Sequence, residues 1–250
     1  MSESSTSGVC NMIIDAHIHC HELGRDELSR YAGRYILVCV SDDPASSRAT
    51  LELAEEYKGV TPCIGIHPWN VKNHGLSDLR SLLKEAVERG VKCLGEVGLD
   101  KRFTPESFSR QLEFFREIAG YAREYGFALN IHAAGAWREV FEEVYGRDLD
   151  KVYFHWYTGP LDLLNNIVEA GYYVGLNPAW RLQAKHREVI ASVPLRNVLT
   201  ESDAPYEYRG LKMTPEMITG SLELLASIHG VSVEEVESTI WGNYVKILGA

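Results

Sequence analysis

The sequence lacks both a long apolar run and an excess of positive charge. No segment approaches the roughly 20 consecutive apolar residues of a membrane-spanning helix, which argues against an integral membrane protein. Lys and Arg together number 25 and Asp and Glu number 35, so the formal net charge is −10. This balance argues against broad electrostatic wrapping of a nucleic acid, although it allows a small basic mouth above a charged centre.

Paired cysteine motifs are also missing. The chain has five cysteines, Cys10, Cys20, Cys39, Cys63 and Cys93. The number is odd, no two form a Cys-x-x-Cys pair, and four of the five stand in apolar runs. Such residues are typical of small buried side chains, so we expect reduced thiols in a reducing compartment. The N-terminus also lacks the basic start and apolar block of a signal peptide, and together these absences predict a cytoplasmic protein.

Nothing in the sequence divides the chain into two domains. It contains no Pro/Ser/Gly-rich bridge and no run of like charges. Residues 1–11 are poor in apolar side chains, and we expect them to form a flexible tail. Residues 12–250 then form one domain, of the size usual for a single α/β barrel.

Apolar β-branched runs alternate with amphipathic stretches along the chain. The runs that predict strands lie near residues 13–17, 35–40, 60–66, 93–97, 128–131, 152–154, 172–175 and 197–200. Helical patterns lie between most of them, and several end at a glycine, as at Gly126. Eight strands that alternate with helices predict a TIM (β/α)8 barrel.

Unusual polar residues follow these predicted strands. They are His17, His19, His67, Glu96, His132, His155, Glu201 and Asp203. The active site of a TIM barrel lies at the C-terminal ends of its strands. Buried polar groups need partners, and a metal centre would supply one to all of these side chains together.

Spacing suggests a role for several of them. Side chains alternate faces along a strand, so His17 and His19 point the same way and can hold one ion. Glu96 interrupts an apolar run between two glycines, and its two oxygens can bridge two ions. Asp203 is interpreted as a metal ligand and as the general base that accepts a proton from water.

The remaining residues at strand ends allow two interpretations each. His132 or His155 alone would be typical of a core histidine, but their matched positions favour metal ligands. Glu201 is interpreted as orienting a ligand, with a structural ion pair as the alternative. His67 contacts the substrate or leaving group, or else fixes its own loop. Histidines away from the strand ends, namely His74, His186 and His229, are expected in solvated positions.

Six motifs in this order resemble the TatD family of metal-dependent hydrolases and deoxyribonucleases. They are Asp-Ala-His-Ile-His from residue 15, Gly-Ile-His-Pro from 65, Gly-Glu-Val-Gly-Leu-Asp from 95, Ile-His from 131, Phe-His-Trp-Tyr-Thr-Gly from 154 and Glu-Ser-Asp-Ala-Pro-Tyr from 201. The resemblance implies a TIM barrel with two divalent ions. It implies that one ion is held by His17, His19 and Asp203 and the other by His132 and His155, with Glu96 between them.

The chain departs from the family pattern around the expected substrate. Ala134 stands where the family usually has an arginine, and Lys101 and Arg102 follow Asp100 where the family has two tyrosines. The loop after the last strand, residues 207–215, is shortened. We expect His67 with Lys101, Arg102 or Arg209 to hold a substrate phosphate in place of the missing arginine.

The resulting hypothesis is a two-metal hydrolase that cleaves phosphodiester bonds, with DNA or a small phosphodiester as its partner. One alternative is amidohydrolase-like cleavage of a C–N or ester bond; those barrels commonly use a carbamylated lysine, and no lysine ends a predicted strand here. Another alternative is a non-catalytic metal-binding protein. The imidazole-rich ligand set favours zinc in a purified sample, with magnesium or manganese as candidates in cells.

Overall fold

Eight parallel strands form one sheet in the computed structural model, which describes residues 12–249. They are β1 (Ile13–Ile18), β2 (Tyr35–Cys39), β3 (Val60–Ile64), β4 (Cys93–Gly98), β5 (Ala128–His132), β6 (Val152–Phe154), β7 (Tyr173–Leu176) and β8 (Val198–Thr200). Each strand pairs with the next one along the chain. The strands are buried on both faces, which explains their continuous apolar sequences. The predicted tail, residues 1–11, lies outside the described residues.

The last strand returns to the first. The hydroxyl of Thr200 donates to the carbonyl of Ile14 at 2.7 Å. Beyond the strand, the backbone N–H of Asp203 donates to the carbonyl of His17 at 2.9 Å. These bonds bring the two ends of the sheet together, so the predicted TIM barrel is confirmed.

Helices surround the sheet. They are α1 (Arg25–Ala32), α2 (Pro44–Glu56), α3 (Leu76–Glu88), α4 (Phe108–Tyr125), α5 (Trp137–Tyr145), α6 (Leu161–Glu169), α7 (Ala184–Ser192), α8 (Ile218–His229) and α9 (Val233–Leu248). None of these described helices combines the length and the apolar character needed to cross a bilayer. The sequence did not predict α1. This helix is short and strongly charged and buries only Leu28, Tyr31 and Ala32, so its apolar pattern is weak. It also did not predict a hairpin after β8, in which β9 (Glu207–Tyr208) pairs with β10 (Leu211–Lys212).

Four cysteines form two disulfides, so the expectation of reduced thiols is wrong for them. Cys20 is bonded to Cys39, and Cys63 is bonded to Cys93. Cys63 and Cys93 are register partners on the neighbouring strands β3 and β4. Sequence separations of 19 and 30 residues conceal this proximity, because the barrel creates it. Cys10 lies outside the described residues.

His186 corrects a second expectation. It stands on α7 but is completely buried rather than solvated. Its Nε2 accepts the backbone N–H of Asn177 at 3.3 Å. Burial lowers the pKa of His186 to about 4, despite the nearby carboxylate of Glu201.

Candidate metal centre

The polar residues predicted at the strand ends meet at the C-terminal mouth of the barrel. A cavity of about 570 Å³ opens there, and its lining includes His19, His67, Glu96, His132, His155 and Asp203. His17 lies beneath this cavity and is completely buried. We call these seven residues the metal centre. Glu201 lies behind them and is also completely buried.

Four atoms on one side of Glu96 have the spacing of ligands that share one ion. His17 Nε2 lies 3.4 Å from Glu96 Oε2 and 3.5 Å from Asp203 Oδ1. His19 Nε2 lies 3.5 Å and 3.6 Å from the same two oxygens. Two ligand atoms that lie about 2.1 Å from one ion at a tetrahedral angle are about 3.4 Å apart. The four atoms therefore fit a divalent cation better than they fit direct hydrogen bonds.

The tautomer of His17 agrees with this interpretation. Asn130 donates from Nδ2 to the carbonyl of Ala16 at 2.8 Å, so its Oδ1 faces His17 Nδ1, also at 2.8 Å. Nδ1 must then carry the proton, and the lone pair of Nε2 points toward the carboxylates. This Nε2 is buried and has no hydrogen-bond partner. A buried acceptor without a donor fits a metal ligand.

The other oxygen of Glu96 faces a second pair of histidines. Oε1 lies 2.9 Å from His132 Nδ1 and 3.5 Å from His67 Nε2. On its far side, His132 Nε2 lies 2.9 Å from Asp100 Oδ2. Glu96 thus directs its two oxygens toward two different sets of imidazole nitrogens.

Two glycines allow Glu96 to approach strand β5 so closely. A Cβ atom at Gly95 would lie 2.7 Å from the Cβ of Asn130. At Gly98, where φ is +145°, a Cβ would lie 1.9 Å from the carbonyl oxygen of His132. Any larger residue would push β4 away from β5 and separate Glu96 from His132.

His155 stands on the Asp203 side of the centre. Its ring stacks on His17 with centroids 3.6 Å apart, and its Nε2 lies 3.9 Å from Asp203 Oδ2. Its Nδ1 lies 2.9 Å from Glu201 Oε2. Glu201 also accepts from the backbone N–H of Trp156 and from Asn177 Nδ2. The structure therefore places Glu201 where it fixes the His155 ring and leaves Nε2 of that ring free.

Charge is strongly coupled in this centre. Burial raises the pKa of Glu96, but the charges of His67 and His17 outweigh it and hold the pKa well below its usual value. Burial lowers the pKa of His132, but hydrogen bonds with Asp100 and Glu96 raise it to about 9. Without a cation, the charged carboxylate of Glu96 thus lies beside a His132 that favours its protonated form. A divalent cation would compete with the proton for that imidazole.

The basic residues expected near the substrate lie in different places. Arg102 lines the cavity. Lys101 instead pairs with Glu139 on α5, and the guanidinium of Arg209 lies 5.2 Å from the centre of the Tyr208 ring. Much of the remaining lining is aromatic and includes Trp69, Phe103, Trp137, Trp156, Tyr206 and Tyr208.

Sequence reasoning missed the residues that support the ligands. Asn130 holds His17, Asp100 holds His132, and Asp42 Oδ2 lies 3.5 Å from His19 Nδ1. Asn130 could have been found, because it stands two residues before His132 and therefore on the same face of β5. Asp42 had no comparable signal, since the loop after β2 brings it to the centre.

Comparisons with known proteins agree with this geometry. The profile of the family described as TatD related DNase matches residues 14–249. An uncharacterized metal-dependent hydrolase of Methanocaldococcus jannaschii, MJ1582, is 27% identical over 93% of this chain and 95% of its own length. The human protein named deoxyribonuclease TATDN3 is 26% identical over 94% of both chains.

A solved structure shows the same fold. The TatD homologue YJJV from Escherichia coli K12 superimposes with a TM-score of 0.85 and 25% sequence identity. The superposition covers 96% of this chain and 99% of that protein.

Proposed function

The chain belongs to the TatD family of metal-dependent hydrolases, and we propose that it uses two divalent ions to cleave phosphodiester bonds in DNA or a small phosphodiester. The position of Glu96 carries the proposal. Its oxygens face two different pairs of imidazole nitrogens, at 2.9–3.5 Å. The name of the human relative, a deoxyribonuclease, supports the substrate class.

The ligand assignment is the one that the family resemblance implies. His17, His19 and Asp203, which lie near Glu96 Oε2, would hold one ion. His132, which faces Glu96 Oε1, would hold the other together with His155, which stands nearer to Asp203. When bound, the two ions would supply Lewis-acid activation of water and of the scissile ester group. Imidazole-rich ligation favours zinc in a purified sample, whereas magnesium or manganese would suit the carboxylates in cells.

Residues of the chain would carry the proton and position the ester. Asp203 directs Oδ1 toward His17 and His19, and its Oδ2, 3.9 Å from His155 Nε2, would accept a proton from the attacking water. His67 is buried at the cavity, with Nε2 toward Glu96, and would contact the leaving group. Arg102, the predicted basic residue that lines the cavity, would hold a phosphate oxygen.

The cytoplasmic location remains a prediction of the sequence. The two disulfides weigh against a strongly reducing environment.

An activity assay with a bridging-ligand variant tests the proposal. We expect the metal-loaded protein to hydrolyse a simple phosphodiester or a short DNA oligonucleotide. Glu96→Gln should remove this activity, because an amide cannot bridge two cations as a carboxylate does. Glu237→Gln, which changes an exposed carboxylate on α9, is the control. Cleavage of simple amides without cleavage of any phosphodiester would support the amidohydrolase alternative. No turnover of either substrate class with metal restored would support a non-catalytic metal-binding protein.

A further inference from the structure

A second group of metal-binding side chains stands beside the metal centre. It consists of His21, Glu22 and Asp42, and we call it the rim cluster. His21 Nε2 lies 3.1 Å from Asp42 Oδ2 and 3.9 Å from Glu22 Oε1. These separations bracket the 3.4–3.6 Å that separate the ligand atoms around His17. One ion could therefore contact all three side chains.

The rim cluster contains unsatisfied polar atoms. Nδ1 of His21 and Nδ1 of His19 are both buried, and neither has a hydrogen-bond partner. His19 Nδ1 points toward the cluster, 3.5 Å from Asp42 Oδ2. Buried polar groups are normally paired, so His19 Nδ1 leaves an unfilled position facing Asp42 that a bound cation would occupy.

Backbone contacts hold the cluster in place. The backbone N–H of Asp42 donates to Ser46 Oγ at 2.9 Å, and its carbonyl accepts from His67 N–H at 2.9 Å. His21 and Glu22 lie in a single helical turn, closed by the N–H of Glu22 donating to the carbonyl of His19 at 3.0 Å. The ligand atoms thus need little reorganisation to accept an ion.

The charge of the cavity indicates why a cation would be needed there. Glu22 and Asp42 both line the cavity. Of the lysines and arginines within residues 12–249, Arg102 alone lines it. An anionic substrate entering past these carboxylates would be repelled. A bound cation would reverse that local charge.

We propose that His21, Glu22 and Asp42 bind a third divalent cation at the cavity rim. Three protein ligands leave coordination positions open. Those positions would take a phosphate oxygen of the substrate, away from the scissile bond. This role toward the substrate rests on the proposed function, whereas the cation site itself rests only on the rim cluster.

Metal stoichiometry tests the site without an activity assay. The full-length protein, stripped with a chelator, is titrated with Zn²⁺ or Mn²⁺ by calorimetry, and bound metal is counted by mass spectrometry after desalting. We expect three ions per chain. His21→Asn should weaken the third binding step by more than about tenfold and leave two ions, because it removes a direct ligand.

Two further variants make the test selective. Glu22→Gln changes a side chain that is 54% exposed, so it should fold normally and still weaken the third step. His74→Asn is the matched control, since His74 Nδ1 lies 3.9 Å from Asp78 Oδ2 in a polar surface pair. The third site alone would be overturned if the wild type bound two ions per chain. The same would follow if His21→Asn bound three ions per chain with unchanged affinity. One ion or none would overturn both this site and the proposed two-metal function.

Discussion

The proposed metal ligands lie at or just beyond strand ends, and three of them have hydrogen-bonded supports. The cavity wall above them comes mainly from loops and is largely aromatic. His17, His132 and His155 are each held on the side opposite the centre, by Asn130, Asp100 and Glu201 respectively. In the wall, by contrast, Trp69 is 40% exposed, Phe103 59% and Tyr206 46%. The barrel thus fixes the groups for hydrolysis, and the loops shape what enters.

The largest effect should follow a change in the metal centre itself. We expect Asp203→Asn to lower kcat by about 10³-fold, because the amide can neither accept the proton nor act as an anionic ligand. Steady-state hydrolysis of the phosphodiester measures this loss. Asp162→Asn, in an exposed pair with Arg138, should behave as the wild type. Similar activity of Asp203→Asn and the wild type would exclude Asp203 as the base.

A smaller effect should follow a change in the supports. Asn130→Ala removes the acceptor that orients His17, and we expect metal affinity to fall by about 10–100-fold. Calorimetric titration with Zn²⁺ measures it. Asn165→Ala on the exposed face of α6 is the control. An unchanged affinity for Asn130→Ala would mean that the strand alone orients the imidazole.

The wall should affect substrate binding more than turnover. Arg102→Ala is expected to raise KM by about tenfold with little change in kcat, since a charge-assisted hydrogen bond contributes roughly 1.5–3 kcal/mol. Lys101→Ala should change KM less, because Lys101 pairs with Glu139. Equal effects of the two substitutions would contradict this division of the basic residues.

A separate effect concerns acid stability, away from both regions and without a change in activity at neutral pH. The pKa of His186 is about 4 in the folded chain, against about 6.5 for an unperturbed imidazole. The free energy of unfolding is therefore independent of the titration of His186 above pH 6.5 and falls as the pH drops toward 4. Over that range the unfolded chain binds a proton at this imidazole and the folded chain does not. The loss should reach about 3 kcal/mol.

Denaturant unfolding across this pH range tests the assignment. His186→Gln should flatten the fall in the free energy of unfolding between pH 6.5 and 4, whatever its effect at neutral pH. His74→Gln should leave that slope unchanged. A slope in His186→Gln equal to that of the wild type would rule out this histidine as the source of acid sensitivity.

The sequence predicted the strands and the residues at their ends because both follow local rules. Alternation places His17 and His19 on one face, and the apolar run around Glu96 shows that its carboxylate must be buried. Contacts between residues that only the folded barrel brings together could not be predicted from the sequence. The pairing of Cys63 with Cys93 depends on strand register, and the approach of Asp42 to His19 depends on a loop. His186 was misjudged because helix α7 gives little amphipathic signal.

Anomalous diffraction from crystals soaked in Mn²⁺ would test the central claim most directly. We predict two peaks on opposite sides of the Glu96 carboxylate, about 3.5–4 Å apart. One should lie among His17, His19 and Asp203, and the other beside His132. A single peak there, or no peak within reach of Glu96, would contradict the account.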